Sequence, residues 1–209
     1  MRVLEEMQPL YFGDYMFCDL MGGRGGARSY SSTQHALHEL LHAPFMRGFF
    51  LREIHSTIYA SVWQDFKDRI AEYEEQHNTD LSRIIEFTDN KQGENYARNL
   101  INGNTITTKG FKVSSSGHTA SLKSLASATH VYIEEAEETA KKEYTKLLLS
   151  LRKKDAKIKV IRSFNPPHRS HWIWEDYDLT KVSNEELKKI VYRTSSHPKN
   201  IIDVALRKI

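Results

Sequence analysis

Short apolar runs along the chain alternate with longer segments in which apolar residues recur at helical spacing. The apolar runs predict strands at residues 15–21, 48–51, 84–87, 100–101, 105–108, 130–133, 157–164 and 190–192. The predicted helices are residues 29–42, 54–75, 134–152 and 200–208, and residues 172–174 are expected to be extended. Strands that alternate with helices predict an α/β fold with a mostly parallel central sheet and helices on both faces. The chain offers no convincing domain boundary, so we expect one domain over residues 1–209.

Two local patterns refine this prediction. In the second predicted helix, Ile58, Val62, Phe66 and Ile70 recur every four residues and should face the core. The sequence Asn-Gly-Asn at residues 102–104 lies between two predicted strands and is typical of a hairpin turn.

A glycine cluster follows the first predicted strand and precedes the first long helix. The segment Gly22–Ser29 approximates the phosphate-loop pattern G-x-x-x-x-G-K-[ST], with Ala27 at the last glycine, Arg28 at the lysine and Ser29 in register. Glycines allow backbone N–H groups to turn inward around an anion, and the following helix offers its positive N-terminus to phosphate. A hydroxyl at Ser29 is suited to hold Mg²⁺. Alternatively, the segment is a glycine-rich turn before an ordinary helix.

A run of acids follows the buried strand at residues 130–133. Glu134 is placed to hold Mg²⁺ through water, and Glu135 to polarise the attacking water. Acids at 134–138 also suit the N-terminus of any helix, because the helix dipole favours them there. With the glycine loop upstream, the order favours a nucleotide site. We expect the two acids to face the loop across the tips of adjacent strands.

Other polar residues give weaker signals. Gln8, just before the loop strand, either contacts an adenine edge or lies on the surface. His35, His38 and His42 share a helix face, where a zinc site is one interpretation and ordinary packing or surface positions the other. The serine-rich segment 114–127 is either a linker or a loop beside the site.

Composition adds little direct evidence about function. Of 209 residues 39% are hydrophobic, which suffices for a large core, and the formal net charge of +3 permits an anionic partner without arguing for one. The one cysteine, Cys18, lies in the first predicted strand and is expected to be a buried thiol. No apolar run reaches the length of a membrane-spanning helix, and no recognition-helix signature predicts sequence-specific DNA binding.

Taken together, these motifs resemble the ATPase domain of the large subunit of tailed-phage terminases, in the branch shared with defective prophages. The matching segments, in order, are Gly22–Ser29, Leu51-Arg52 with Ser61-Val62, Leu122–Leu125 with Val131–Glu138, Ser163–Pro167 with Trp172, and Arg193–Ser196 with Asn200. The most specific of them is the run from the strand into Glu-Glu-Ala-Glu-Glu. The resemblance covers nearly the whole chain.

The resemblance implies a P-loop ATPase of the additional-strand, catalytic-glutamate type that threads double-stranded DNA into a procapsid. It implies ATP on Gly22, Gly23, Arg24, Gly25, Gly26, Ala27, Arg28, Ser29 and Gln8, and Mg²⁺ on Ser29 and Glu134. Glu135 and Arg24 would be catalytic, with Arg24 sensing the γ-phosphate. Asn165 would couple hydrolysis to movement, and Arg52 is a weaker candidate for a charge offered to a neighbouring subunit.

The same resemblance implies partners and a location. The partners are the DNA backbone, a portal protein, the small terminase subunit and further copies of the chain in a ring on the procapsid, all in the cytoplasm of the infected bacterium. The family's C-terminal nuclease domain is expected to be absent from this polypeptide. Arg28 in place of lysine and Ala27 in place of glycine leave a second interpretation open, a degenerate nucleotide-binding module that serves assembly with little or no hydrolysis.

Overall fold

The computed structural model describes residues 7–23, 27–91, 93–112, 122–153 and 155–177. These residues form one seven-stranded sheet with the order β1-β7-β6-β2-β5-β4-β3. The strands are β1 (Phe17–Met21), β2 (Arg47–Ile54), β3 (Ile85–Thr88), β4 (Tyr96–Asn99), β5 (Thr105–Lys112), β6 (His130–Glu134) and β7 (Lys159–Phe164). The first five strands in that order are parallel, and β4 and β3 add an antiparallel edge. The predicted mostly parallel α/β sheet is confirmed.

The α-helices of the described residues are α1 (Gln8–Phe12), α2 (Arg28–His42), α3 (Gln64–His77) and α4 (Lys141–Ser150). Short 3₁₀ helices occur at His55–Thr57, Leu81–Arg83, Leu122–Ser127, Ala136–Glu138 and Trp172–Asp176, and Tyr59–Trp63 forms a π-helical turn. In the part of the chain that the structure describes, no helix combines the length and the apolar character needed to cross a membrane.

Both faces of the sheet are covered, as the near-continuous apolar runs of the inner strands require. Successive residues of β2, Phe49 and Phe50, belong to two different buried clusters, one on each face. The cluster that contains Phe50 packs against α2 and α3, whereas the cluster that contains Phe49 packs against α4 and the 172–177 segment. Cys18 on β1 is buried, as expected.

The helix predicted at residues 54–75 begins ten residues late, at Gln64. The preceding segment is bent because its side-chain hydroxyls donate to nearby backbone carbonyl oxygens, which would otherwise accept from the N–H groups of a continuous helix. Thr57 Oγ1 donates to the carbonyl of Ile54 at 2.8 Å, and Ser61 has φ −122° and ψ −109°. The four-residue spacing nevertheless buries Ile58, Val62, Phe66 and Ile70, as predicted.

The hairpin turn at residues 102–104 is confirmed, but its first strand was predicted in the wrong place. β4 ends at Asn99, and Leu100 and Ile101 lie exposed in the turn. The side-chain amides of Asn102 and Asn104 donate to carbonyl oxygens at the end of α2, at 3.1 and 2.8 Å. These bonds satisfy helix carbonyls that have no partner within the helix. The turn therefore clamps the C-terminal end of α2.

Other predictions differ in detail or fall outside the described residues. The helix predicted from residue 134 begins only at Lys141, after the 3₁₀ turn Ala136–Glu138. The 172–174 piece is a 3₁₀ helix rather than extended. Most of the serine-rich segment, the strand at 190–192, the helix at 200–208 and the matching segment Arg193–Ser196 with Asn200 lie outside the described residues.

A buried polar cluster lies where α2 crosses β6 and β7. The carboxylate of Glu39 is 3.2 Å from His130 Nε2, 3.4 Å from His35 Nε2 and 3.5 Å from Lys159 Nζ. His35 is fully buried, and its Nδ1 is 2.8 Å from the hydroxyl of Tyr132. Burial lowers the pKa of His35 to about 3, which the nearby Glu39 only partly opposes.

This burial predicts that stability falls with acid between pH 6.5 and 4.5. In that range the unfolded chain binds a proton at His35 and the folded chain does not, so the free energy of unfolding decreases by about 1.4 kcal/mol per pH unit from this group. We expect His35→Gln to lose that part of the slope in urea unfolding curves at pH 7.0, 5.5 and 4.5.

The exposed His77 at the end of α3 provides the control, since His77→Gln should keep the wild-type slope. Glu39 does not confuse the comparison, because its pKa is lowered and its contribution is lost only below about pH 4.5. An unchanged slope in His35→Gln would contradict the assignment.

Candidate active site

The site lies at the edge of the sheet where β1, β7 and β6 end. β7 lies between β1 and β6, with Met21 beside Phe164 and Glu134 beside Ser163. The expectation that the loop strand and the acid strand are adjacent is therefore wrong, because a third strand separates them. This inserted strand is the feature that gives the additional-strand P-loop type its name, so the predicted fold type is confirmed while the detail of adjacency is corrected.

The N-terminus of α2 opens onto this edge. Ala27 precedes the helix in the left-handed conformation, with φ 55°, and no side chain caps the helix. The first turn also carries no acid. Its N–H groups and its positive dipole end are therefore suited to an anion. On the other side of the loop, Gly22 N donates to the carbonyl of Phe164 at 3.1 Å, which fixes the end of β1 to the end of β7.

Ser29 and Glu134 join the loop to the acid strand. The Ser29 hydroxyl donates to Glu134 Oε1 at 2.5 Å, across 105 residues of sequence. Burial raises the pKa of Glu134, and the hydroxyl of Ser29 and the charge of Arg28 oppose that shift. A hydroxyl and a carboxylate are oxygen donors of the kind that suits Mg²⁺, which takes one or two protein groups and completes its shell with water and phosphate.

Arg28 is held by the segment that follows β7. Its Nη2 donates to Asn165 Oδ1 at 2.9 Å and makes a longer contact of 3.5 Å with the carbonyl of Gly23. Asn165 in turn donates from its backbone N and its Nδ2 to Glu137 Oε1, at 2.9 and 2.7 Å. Burial lowers the pKa of Arg28, although Glu134 and Glu137 oppose this and an arginine stays charged.

Glu135 pairs with a residue of the neighbouring strand. Its backbone is left-handed, with φ 50°, a conformation that costs a non-glycine residue free energy and is found at functional sites. Its carboxylate forms an ion pair with Arg52, which follows from the register Leu51 beside Ile133 on β2 and β6. Arg52 also donates to Ser61 Oγ at 3.0 Å. Arg52 is thus paired with Glu135 of its own chain. This pairing does not support the expectation that Arg52 offers its charge to a neighbouring subunit.

These side chains surround a cavity of about 490 Å³. Its described lining is Gly23, Ala27, Arg28, Ser29, Tyr30, Glu134, Glu135, Glu137, Glu138 and Asn165. The structure therefore brings together the predicted residues Gly23, Ala27, Arg28, Ser29, Glu134, Glu135 and Asn165. Gly22 is buried just behind the lining. Gln8 is exposed on α1 and does not line the cavity, and Arg24, Gly25 and Gly26 lie outside the described residues.

Three cavity residues were not singled out from the sequence. Tyr30 lines the cavity and has the Arg69 guanidinium 4.1 Å from its ring centroid. Glu137 and Glu138 were visible only as part of an acidic run. The contact between Glu137 and Asn165 needs the knowledge that β6 and β7 are parallel neighbours, since the segments after both strands then lie at one edge of the sheet.

The histidines of α2 do not form the alternative metal site. His35 is buried beside Tyr132, His38 is partly exposed and His42 is exposed. Among the described residues, no group of three or more histidine, cysteine, aspartate or glutamate side chains is arranged to hold a metal ion.

Comparison with known families decides the identity of the fold. Residues 17–202 match the model of the family described as phage terminase large subunit, which is most of the chain. The chain belongs to the phage terminase large subunit family. No characterised protein matches its sequence closely enough to be counted as a relative.

Solved structures with this fold include terminase ATPase domains. The large terminase ATPase domain of Thermus phage P74-26, in an arginine-to-alanine mutant, is 14% identical, with 84% of this chain and 70% of that chain covered and a TM-score of 0.58. The large terminase of bacteriophage HK97 is 12% identical, with 89% and 38% covered and a TM-score of 0.60. That of a thermophilic bacteriophage is 14% identical, with 90% and 41% covered and a TM-score of 0.56.

The chain thus spans about 40% of the length of these two larger terminase structures. The thermophilic phage terminase has also been solved with ADP and with ATP-gamma-S. At these identities the similarity establishes the terminase ATPase fold, and the roles of individual residues have to come from the site itself.

The raised pKa of Glu134 predicts that neutralising this acid stabilises the free protein. Because the folded-state pKa lies above the unfolded value, the ionised carboxylate costs stability at neutral pH and ceases to do so as the pH falls toward 4.5. We expect Glu134→Gln to raise the free energy of unfolding at pH 7.5, because the neutral amide carries no charge that burial penalises.

The test is urea unfolding at pH 7.5 and 5.0 in a buffer without nucleotide or divalent cation. The gain should shrink at pH 5.0, and Glu138→Gln, which neutralises an exposed acid of the same cavity, should show a smaller effect. A destabilised Glu134→Gln at both pH values would refute the pKa assignment.

Proposed function

We propose that this chain hydrolyses ATP and uses the energy to move double-stranded DNA into a procapsid. The observation that carries the proposal is the contact between Ser29 and Glu134, whose oxygens lie 2.5 Å apart in the lining of a cavity of about 490 Å³. It joins a phosphate-type loop to an acid strand in an arrangement that serves phosphoryl transfer. Double-stranded DNA is proposed as the substrate that is moved because the chain belongs to the terminase large subunit family.

ATP would bind with its phosphates on the loop from Gly22 to Ser29, against the N-terminus of α2. Arg24 would contact the γ-phosphate, and Gln8 would contact the adenine. Ser29 and, through water, Glu134 would hold Mg²⁺, which neutralises charge on the phosphates when bound. The cavity is lined by four acids and, among its described residues, by one cation, so a divalent ion is needed to offset the charge of a triphosphate.

Glu135 would orient and polarise the attacking water. In the structure its carboxylate forms an ion pair with Arg52. Hydrolysis therefore requires either that this ion pair loosens or that it holds the carboxylate at the angle needed to polarise the water. Glu135 retains partial access to solvent, with 33% of its side chain exposed, so water can reach it. Asn165, directly after β7, accepts a hydrogen bond from Arg28 and would transmit a change at the phosphates to the segment after β7.

The wider partners of the proposal follow from the family. They are the backbone of double-stranded DNA, with salt-sensitive contacts, a portal protein and a small terminase subunit. The chain would work as a ring of identical copies on the procapsid, in the cytoplasm of an infected bacterium.

A second candidate function is a nucleotide-binding module with little or no hydrolysis. Two contacts favour it specifically. Arg28 already has a protein partner in Asn165, and Glu135 has one in Arg52, so both groups would have to be shared with or released to the substrate.

Glu135→Gln tests the proposed mechanism. Removing the base should lower ATP hydrolysis by at least about 100-fold, while the affinity for a fluorescent ATP analogue stays within about threefold, because a water-polarising acid acts in the reaction rather than in binding. Phosphate release and analogue titration, both with Mg²⁺, measure the two effects. Glu138→Gln is the matched control, and equal turnover in Glu135→Gln and the wild type would refute the role.

Arg28→Lys separates the two candidate functions. If the wild type is an ATPase, the guanidinium held by Asn165 is functional, and the shorter-reaching ammonium should lower turnover because it cannot reproduce that planar contact. If the site is degenerate, Arg28→Lys should instead raise hydrolysis strongly from a low level. Phosphate release is compared for the two proteins, alone and with DNA and procapsids.

A further inference from the structure

Three side chains form a hydrogen-bonded chain on one side of the cavity. Glu137 Oε1 accepts from both the backbone N and the Nδ2 of Asn165, at 2.9 and 2.7 Å. Asn165 Oδ1 accepts from Arg28 Nη2 at 2.9 Å. Asn165 thus lies between a negative and a positive side chain, and each half of its amide faces the charge of opposite sign to its own partial charge.

Glu137 and Arg28 both fix which way this amide faces, and Glu137 also holds the backbone of Asn165. The oxygen and nitrogen of an asparagine side chain have nearly the same shape, so its orientation is set by its hydrogen-bond partners. A carboxylate can only accept, and it therefore draws Nδ2 toward itself. Oδ1 is then left facing Arg28. A neutral side chain at position 137 would form weaker hydrogen bonds with the backbone N and Nδ2 of Asn165, so Oδ1 would be held less firmly against Arg28.

The orientation of Arg28 matters more than that of a lysine would. A guanidinium is a planar fork with five N–H donors in fixed directions, whereas an ammonium is a compact charge that contacts phosphate from many angles. Nη2 makes both contacts with the protein, to Asn165 and to Gly23. Nε and Nη1 make no hydrogen bond to the described residues, so they are the groups that an incoming phosphate would meet.

We propose that Glu137 is a positioning residue that, through Asn165, orients the Arg28 guanidinium toward the phosphates of the bound nucleotide. The inference rests on the proposed nucleotide site. Glu137 would then be a third acid of the site with a role of its own, beside Glu134 at the metal ion and Glu135 at the attacking water. This role also explains how an arginine works at the position where phosphate loops usually have lysine.

The direction of the change in ATP affinity distinguishes a positioning role of Glu137 from a simple electrostatic effect. Removing a negative charge from the cavity should by itself strengthen the binding of an anion. Glu138 supplies this control, since it is the adjacent acid, lines the same cavity and is exposed. Glu138→Gln should bind ATP as well as the wild type or better. Glu137→Gln should bind it more weakly, because the loss of Arg28 orientation outweighs the reduced repulsion.

The experiment is a double-mutant cycle in nucleotide affinity. A fluorescent ATP analogue is titrated with Mg²⁺ into the full chain carrying Glu137→Gln or Glu138→Gln, each with Arg28 and with Arg28→Lys. We expect Glu137→Gln to weaken binding about tenfold with Arg28, as for a lost charge-assisted bond, and at most about twofold with Arg28→Lys. An equal loss in both backgrounds, or a Glu137→Gln that behaves like Glu138→Gln, would overturn the proposal.

A second measurement is made on the protein without nucleotide. The urea midpoints of the same variants should be non-additive for Arg28→Lys with Glu137→Gln, and additive for Arg28→Lys with Glu138→Gln. If the wild type fails to bind the analogue, the proposed function fails. The urea midpoints alone then test whether Glu137 and Arg28 are coupled. Additive midpoints for the first pair would refute it.

Discussion

The hydrogen bond between Ser29 and Glu134 is the contact on which the site depends, and the sheet order makes it possible. Because β1, β7 and β6 are parallel, the segments that follow all three meet at one edge. β7 separates the loop strand from the acid strand, which leaves space for a substrate between them. The same strand delivers Asn165 into that space. The position of β7 in the strand order therefore both separates the loop strand from the acid strand and brings Asn165 into the cavity lining.

The charges at this edge are arranged in pairs of unlike sign. Arg28 is joined through Asn165 to Glu137, and Arg52 is joined directly to Glu135. Among the described residues, Glu134 accepts a hydrogen bond from the Ser29 hydroxyl, and because burial raises its pKa, its ionised form would gain from a nearby cation. In the structure these charged side chains therefore compensate one another, and a substrate with a divalent ion would supply new partners for them.

Much of this arrangement could be predicted from the sequence. The glycine cluster before a helix and the acids after a buried strand indicated the loop and the acid strand, because both signals are local. The contact of Arg52 with Glu135 could not be predicted, since it depends on the register of β2 with β6. The late start of α3 was also missed, because the four-residue apolar spacing of Ile58 and Val62 is kept although the backbone is bent.

The amide clamp on α2 makes this helix a rigid link between two distant parts of the molecule. The first residues of α2 line the cavity, and its other end is tied to the β4–β5 turn by Asn102 and Asn104. A helix of 15 residues is about 22 Å long. The turn that carries the exposed Leu100 and Ile101 is therefore joined, through this single helix, to the backbone that lines the cavity.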